Sequence, residues 1–326
     1  MTTSNDPRGR LSELYSGRQA NLATPAAADF TRRHFYDLQP QPQSEPQSDD
    51  IMGGGFHNSI DERPAAPDVE RASLRMVWPL DLVQIGWALT EFFGAPVTTG
   101  AGPYVHTFTS GTVQIPTTTF ERKLGAGAFD GVIGAVARSL TFPIGADRGY
   151  TRINAEYFAR QALDQYADSI AGAPATPALA ARVPRAVGTI KKDGVALGAV
   201  ISGDATLTNI LGEDSYHGSR FIDDVQLEGR QAAANLTLRL KGAAARDFGK
   251  IEVGQDLPEA MDLELAWELT ATLKLVLTLR NQRFGKVGIA TSGPGRLDVP
   301  LRARGEVGAA ADMVTAVLTN TQATYA

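Results

Sequence analysis

The sequence predicts a mainly β protein with one clear α-helix. Apolar and polar residues alternate through Met261–Arg280, a segment that starts at Asp81 has helical spacing, and glycines and prolines divide much of the remaining chain into strand-length pieces. A period of two places every second side chain on one face of a strand, whereas a helix repeats every 3.6 residues. With 326 residues, the chain is long enough for one large domain or two smaller ones.

The composition narrows the classes of function. The formal net charge is −5, which is unlike a protein that grips nucleic acid by neutralising phosphates. The chain has no cysteine, which excludes disulfides, thiolate metal sites and cysteine nucleophiles. Neither the apolar core of a signal peptide nor a run of about 18 apolar residues is visible. We therefore expect a protein that is made and kept in a cytosol-like compartment.

Residues 1–66 are polar and interrupted by prolines. The stretch Gln39–Asp50 consists almost entirely of Gln, Pro, Ser, Glu and Asp, and it is followed by three glycines. Such a composition buries too little apolar surface to order itself. We predict an extended N-terminal arm with a Pro/Gln-rich loop; a disordered tail without a role is the alternative.

Residues 67–170 are predicted to form a first β-rich domain. Alternation begins at Ala72, and further strands are predicted at 104–109, 117–124, 131–142 and 151–161. A helix is predicted at 81–93, with Asp81 as its cap and Gly94 after its last turn. Its apolar stripe consists of Leu82, Ile85, Leu89, Phe92 and Phe93.

Residues 171–186 contain three prolines among alanines and are predicted to be a linker. A second β-rich domain is predicted at 187–326, and Asp193-Gly194 is a typical two-residue hairpin turn. Its predicted strands are 187–192, 198–210, 220–228, 231–241, 297–307 and 313–321. Because each half has the size of a normal domain, the halves are hypothesised to be tandem copies of one fold.

The alternation in Met261–Arg280 predicts a single strand of twenty residues. A helix would spread the leucines around its surface, whereas a strand places them all on one side. At roughly 3.3 Å per residue this strand would reach about 66 Å, so we expect a bend or a bulge within it.

A search for chemistry finds no convergent set of residues. The histidines at 34, 57, 106 and 217 lack metal-ligand spacing, and the glycines between 125 and 131 fit a hairpin better than a phosphate-binding turn. Arg32–Tyr36 combines basic and aromatic side chains, which could either bind nucleic acid or dock on a neighbouring subunit. We predict no catalytic, cofactor or metal site, and hence no enzyme.

Four segments of the first half follow one another in a recognisable order. The first runs from Trp78 to Phe92-Phe93-Gly94, and the others are Gly102–Phe108, Pro116–Glu121 and Phe129-Asp130-Gly131. In this order they resemble the tail tube proteins of siphophages, the phages with long non-contractile tails. Ser202–Asn209 in the second half is also similar to that family, and the resemblance extends over residues 70–320.

The resemblance implies a structural virion protein. It implies a tail-tube-type β-sandwich or barrel with a flanking helix, whose long hairpins join those of other subunits in a β-barrel around a DNA channel. The rings would be trimers with pseudo-sixfold symmetry, or hexamers, and they would stack helically. Expected partners are the chain itself and the tape measure and tail-terminating proteins, with DNA passing through unbound, no membrane and no cofactor. The expected location is the virion tail, after synthesis in the host cytoplasm.

The resemblance also suggests roles for two sets of residues. The polar face of the long strand is predicted to line the channel, where acidic groups would repel phosphates; a solvated outer wall is the alternative. Its residues are Asp262, Glu264, Glu268, Thr270 and Thr272. The arm is predicted to bridge rings through Gln39, Pro40, Pro42, Pro46, Asp49 and Asp50.

Two other classes of protein remain possible from the sequence. One is a carbohydrate-binding or adhesive β-sandwich module of a tail fibre or cell surface; such modules usually expose aromatic platforms, and the three Trp and eight Tyr of this chain argue mildly against it. The other is an enzyme on a β scaffold, which the absence of a convergent catalytic set disfavours.

Overall fold

Twenty β-strands and one α-helix make up the described part of the chain in the computed structural model, which confirms the mainly β prediction. The structure describes residues 9–45, 47–48, 65–66, 69–125, 127–145, 149–179, 181–198, 200–240, 248–254, 256–286, 288–289, 291, 296–307 and 312–325. In the first half the elements are β1 (Glu13–Arg18), β2 (Thr31–Arg33), β3 (Asp37–Gln43), β4 (Gln47–Ser48), β5 (Ala65–Ala66), β6 (Arg71–Pro79), α1 (Ile85–Phe93), β7 (Val97–Thr99), β8 (Tyr104–Thr109), β9 (Thr118–Gly125), β10 (Ala128–Gly145), β11 (Arg152–Ala159) and β12 (Gln161–Tyr166). In the second half they are β13 (Gly188–Lys192), β14 (Val195–Ala196), β15 (Val200–Asp214), β16 (Asp224–Arg239), β17 (Ala260–Thr270), β18 (Leu273–Phe284), β19 (Asp298–Gly305) and β20 (Val314–Asn320).

One antiparallel sheet runs through both halves of the chain. Its order is β3–β6–β11–β10–β15–β16–β19–β18, followed by β17–β13–β14 on the far side of β18. β20, with β8 and β7 beyond it, pairs with the same edge of β18 as β19 does. The beginning of β10 pairs with β12 and with β9, which leads to β1 and β2. These pairings branch without closing on themselves, so the described strands form an open sheet with free edges.

The two predicted halves share one hydrophobic core. β10 pairs with β15 across the predicted linker, and β8 pairs with β20. Buried side chains of a single core cluster range from Leu14 to Tyr325. The stretch predicted to be a linker also packs against the fold, since Ala181 and Val183 are buried. The division into tandem copies of one fold remains a prediction.

The helix forms where its apolar stripe predicts it, but it is shorter at the N-terminus. α1 begins at Ile85 and not at Asp81. The Asp81 carboxylate nevertheless accepts hydrogen bonds from the Val83 and Gln84 amides, at 2.9 and 3.1 Å, and thereby caps the turn that leads into the helix. Gly94 ends it with a positive φ of 94°, and its N–H donates to the Thr90 carbonyl.

The expected twenty-residue strand is wrong: Met261–Arg280 is a hairpin of β17 and β18. The turn is Ala271-Thr272, and the register pairs Leu263 with Leu279 and Leu265 with Leu277. Odd-numbered residues face odd-numbered residues across the hairpin, so the alternation continues through the turn as though the chain were straight. The expected irregularity does occur, near Asn281, whose φ of 49° accompanies a register shift. Beyond it the buried positions are even-numbered, Gln282 and Phe284.

The N-terminal region is more ordered than its composition predicts. β1 and β2 belong to the sheet, with Leu14 and Tyr15 buried, and the Pro/Gln-rich β3 pairs with β6 from Asp37↔Val77 to Gln43↔Arg71. This polar segment is ordered by backbone pairing with a strand far along the chain and not by its own apolar surface. Pro46, Asp49 and Asp50 lie outside the described residues, as does His57.

β10 serves two parts of the sheet because it contains an irregularity at Gly134. The residue has a positive φ of 64°, and a Cβ there would lie 2.7 Å from both the Arg160 Cβ and the Leu22 carbonyl oxygen. Only glycine meets both conditions without strain.

The chain also breaks at Arg160, which divides the predicted 151–161 strand into β11 and β12. The strands predicted at 220–228 and 231–241 are, conversely, parts of one continuous β16.

Candidate functional site

The exposed side of the sheet is polar, and we call it the polar face. Cross-strand register places its side chains on one side of neighbouring strands, while the residues between them point into the core. The polar face consists of Arg75, Ser139, Thr141, Asn154, Glu156, Lys191, Asp204, Thr206, Thr208, Asn235, Thr237, Arg239, Asp262, Glu264, Glu268, Lys274, Thr278, Arg283, Asp298, Arg302 and Arg304.

Four of the five predicted lumen residues lie along β17, and the fifth lies in its turn. Asp262, Glu264 and Glu268 are half-buried or exposed, whereas the intervening Leu263, Leu265 and Trp267 are at most 5% exposed. Thr270 and Thr272 meet at the tip of the hairpin, with 3.2 Å between their hydroxyl oxygens. The structure therefore brings the predicted set together on one surface, while its position in a lumen remains a prediction.

The charges on this surface are mixed and not uniformly acidic. Lys191 Nζ donates to Glu264 Oε1 at 2.6 Å, and Lys274 stands directly opposite Glu268 in the register. Asp262 uses its Oδ1 to accept the Asn281 amide at 2.9 Å. β17 by itself is acidic, but basic side chains on the neighbouring strands offset part of its negative charge.

Hydroxyl and amide groups connect the central strands of the polar face. The Thr141 and Thr206 hydroxyl oxygens are 3.1 Å apart, and the Asn235 amide donates to Asp204 at 3.0 Å. Two ion pairs flank them, Arg75 to Glu156 at 3.3 Å and Arg239 to Asp298 at 3.2 Å. Short polar side chains of this kind make a hydrated surface, and a cavity of about 350 Å³ lined by Arg75, Thr141 and Glu156 opens on it.

The arm residues that the structure describes lie in an edge strand. Gln39, Pro40 and Pro42 all belong to β3, whose one hydrogen-bonded neighbour among the described strands is β6. Proline has no N–H to donate, so its presence in an edge strand discourages pairing with another chain. The outer edge of β3 is therefore poorly suited to strand addition, although its side chains remain accessible.

Sequence reasoning missed a buried polar cluster beside α1. The Arg33 guanidinium donates to Glu91 at 2.7 Å, and its carbon lies 4.3 Å from the centre of the Trp78 ring. The Tyr157 hydroxyl donates to the other oxygen of Glu91 at 2.5 Å, and burial together with the charge of Glu91 raises the pKa of Tyr157. Arg33 is 2% exposed, so Arg32–Tyr36 is not a surface for nucleic acid as a unit.

A second polar contact also lies in the last turn of the helix. Arg230 on β16 donates to the carbonyls of Phe92, Ser110 and Thr112, at 3.3, 2.5 and 2.6 Å. Burial lowers the pKa of Arg230 to about 10. Asn209 on β15 also donates to the Phe92 carbonyl, so the long β15–β16 hairpin binds the carbonyl end of α1.

Metal chemistry finds no support in the described part of the chain. No group of three or more metal-ligating side chains occurs among the described residues. His106 is buried instead between the Thr98 hydroxyl and the Gln322 carbonyl, at 2.8 Å from each.

The described helix is also too short to cross a membrane. The Gly125–Gly131 segment joins the paired strands β9 and β10, as predicted for a hairpin.

An open antiparallel sheet with a broad polar face defines a mainly β class of protein. The family model described as phage tail tube protein matches residues 9–323. The chain belongs to this family, which confirms the resemblance seen in the sequence and indicates a structural, non-enzymatic component of the virion tail. No curated protein sequence matches the chain.

Proposed function

We propose that the chain polymerises into stacked rings that form the tail tube and conduct DNA to the host. The observation that carries this proposal is the family match over residues 9–323 of a chain whose sheet is open. An open sheet has unpaired backbone groups at its edges, and pairing with copies of the same chain is the way a tube satisfies them.

The β17–β18 hairpin is the proposed wall of the channel. Its odd-numbered residues bury the core-facing side, which leaves Asp262, Glu264 and Glu268 on the side open to a lumen. Thr270 and Thr272 are proposed to continue that wall at the tip of the hairpin. Carboxylates repel phosphates, and the neighbouring lysines limit the repulsion, so DNA would slide without sticking.

The remaining parts of the assembly follow the family. The ring is proposed to be a trimer with pseudo-sixfold symmetry, on the hypothesis that the two halves are tandem copies; a hexamer is the alternative. The tape measure and tail-terminating proteins are the proposed partners, and synthesis takes place in the host cytoplasm. The segment that includes Gln39, Pro40, Pro42, Pro46, Asp49 and Asp50 is proposed to bridge rings.

Assembly is tested with the purified full-length chain. Negative-stain electron microscopy should show rings or hollow tubes, and sedimentation should show large particles whose share rises with protein concentration. A chain that remains a small oligomer at every concentration would contradict the proposal. If such an oligomer also bound glycans, an adhesive module would be the better description.

The channel wall is tested by reversing charge in the hairpin. Glu264→Lys combined with Glu268→Lys should leave tube formation intact and slow DNA ejection from assembled virions, because the wall would attract phosphates. The matched control is Asp164→Lys on β12, whose side chain is exposed away from the hairpin. Equal ejection rates for the variant, the control and the wild type would remove these residues from the wall.

The bridging segment is tested without disturbing the sheet. Ser48 pairs with Ala65, so residues 49–64 can be replaced by an Asn-Gly turn that joins β4 directly to β5. Rings should still form, but they should no longer stack into long tubes. Tubes of normal length would show that residues 49–64, with Asp49 and Asp50 among them, do not bridge rings.

A further inference from the structure

A short loop before β17 exposes three aliphatic side chains. We call Ile251, Val253 and Leu257 the aliphatic tip; their exposed fractions are 36%, 94% and 49%. The loop is held by backbone hydrogen bonds, from Glu252 N to Leu257 O at 2.9 Å and from Glu259 N to Lys250 O at 2.8 Å. The tip is therefore a supported projection, and its exposure has a cost in water that contact with another surface would remove.

An apolar cavity of about 390 Å³ opens elsewhere on the same molecule. We call it the interlayer cavity, because the β13–β14 hairpin and β17 form one wall and the ends of β10 and β15 form the other. Its apolar lining includes Ile144, Ile190, Leu197, Val200, Leu265 and Trp267. Arg185 also lines the cavity.

The tip does not fill the cavity of its own molecule. None of its residues lines the cavity, and β17 separates the two features. From Ala260, next to the loop, to Leu265 in the cavity wall is five residues of extended strand, roughly 17 Å. The occupant that the chain itself supplies is the tip of another copy.

We propose that the aliphatic tip of one subunit inserts into the interlayer cavity of its neighbour. The contact joins two different surfaces, so each subunit keeps one free tip and one free cavity for further copies. Repeating such a contact produces a ring where the rotation closes and a helical stack where it does not. The inference rests on the proposed tube function and names one contact within it.

Cysteine pairs test the contact directly, because the natural chain has no cysteine. Val253→Cys combined with Leu197→Cys, treated with a short bismaleimide, should give a ladder of covalent dimers, trimers and larger species on denaturing gels. Each single-cysteine variant should stay monomeric on the gel. Val253→Cys with Val113→Cys, a 75% exposed valine on another loop, is the matched control and should give no ladder.

An assembly titration supplies the second measurement. Val253→Asp should raise the protein concentration needed for assembly by about tenfold to a hundredfold, because a side chain buried in the contact becomes a charge. Val113→Asp, with the same chemical change, should leave that concentration within about twofold of the wild type. Circular dichroism of both variants should match the wild type, since Val253 is almost fully exposed in the single chain.

The outcomes separate this contact from the tube itself. Wild-type tubes without a 253–197 ladder would overturn the contact and leave the tube proposal standing. A ladder from the 253–197 cysteine variant, with no tubes from the wild-type chain, would support the contact and overturn the tube. If Val253→Asp and Val113→Asp changed assembly equally, the tip would not be the interface.

Discussion

Polar side chains have different surroundings beside helix α1 and on the β17–β18 hairpin. Beside the helix, Arg33 and Glu91 are almost completely buried and share their partners with Tyr157 and Trp78. On the hairpin, Glu264 forms an equally short ion pair with Lys191 of the neighbouring β13, but the side chains of Lys191 and Glu264 are 40% and 29% exposed. Water solvates the second pair and not the first. Loss of one partner should therefore destabilise the fold more in the buried pair than in the exposed pair.

The difference separates what holds one subunit together from what is available to other molecules. The cluster beside the helix connects β2, α1 and β11 within a chain, and the side chains of Arg33 and Glu91 are only 1% and 9% exposed. The hairpin presents its charges at a surface where they can meet DNA or another copy. Loss of a buried charge should therefore reduce stability, whereas loss of an exposed charge should affect interactions.

The largest effect is expected from Glu91→Ala. It leaves the Arg33 guanidinium buried without a counter-charge, which costs about 3–5 kcal/mol in free energy of unfolding. Urea denaturation followed by fluorescence measures the change. Combining Glu91→Leu with Arg33→Met should recover most of the loss, since no buried charge then remains; a double variant as unstable as Glu91→Ala would show that packing and not charge is responsible.

Arg230→Met should have the next largest effect. It removes the donors to the Ser110 and Thr112 carbonyls and one of the two donors to the Phe92 carbonyl, and burial of unpaired carbonyls costs about 1–3 kcal/mol. Thermal unfolding should show the loss. Arg239→Met, on the same strand but in an exposed pair with Asp298, is the control and should change stability far less. Equal losses of stability for the two variants would contradict the distinction between buried and exposed arginines.

The exposed pair on the hairpin should be nearly neutral. A double-mutant cycle with Lys191→Met and Glu264→Gln should give a coupling of about 0.2–1 kcal/mol, because solvent screens the attraction. The coupling should fall when salt is added. A coupling above 2 kcal/mol, insensitive to salt, would place this pair with the buried cluster and would weaken its assignment to a wetted channel wall.

The smallest effect concerns acid stability. The Tyr15 hydroxyl, with the charges of Arg32 and Lys123, holds the pKa of Glu13 below its ordinary value of 4.5 against the opposing effect of burial. A depressed pKa in the folded state means that the stabilisation is complete above pH 4.5 and is lost as the pH falls through the folded value. Urea midpoints at about pH 3 to 6 should fall less steeply for Glu13→Gln than for the wild type. Parallel curves would contradict this assignment.

Much of the fold could be predicted because strand faces and helix stripes are local patterns. The stripe from Leu82 to Phe93 places α1, and Asp193-Gly194 forms the predicted two-residue turn with φ values of 47° and 79°. The charged Glu91, directly before the apolar Phe92 and Phe93, was the available signal of a buried partner. Its partner could not be predicted, because Arg33 is 58 residues away in sequence.

The periodicity of the sequence determined by itself which residues of each strand face the core. Only the tertiary structure decided where the chain turns: the Met261–Arg280 pattern is the same for one straight strand and for a hairpin that pairs odd residues with odd residues. It also decided that the Pro/Gln-rich β3 is ordered, since backbone pairing with β6 replaces the apolar burial that the segment lacks. Periodicity is a property of neighbouring residues, whereas strand pairing and buried ion pairs depend on contacts between distant ones.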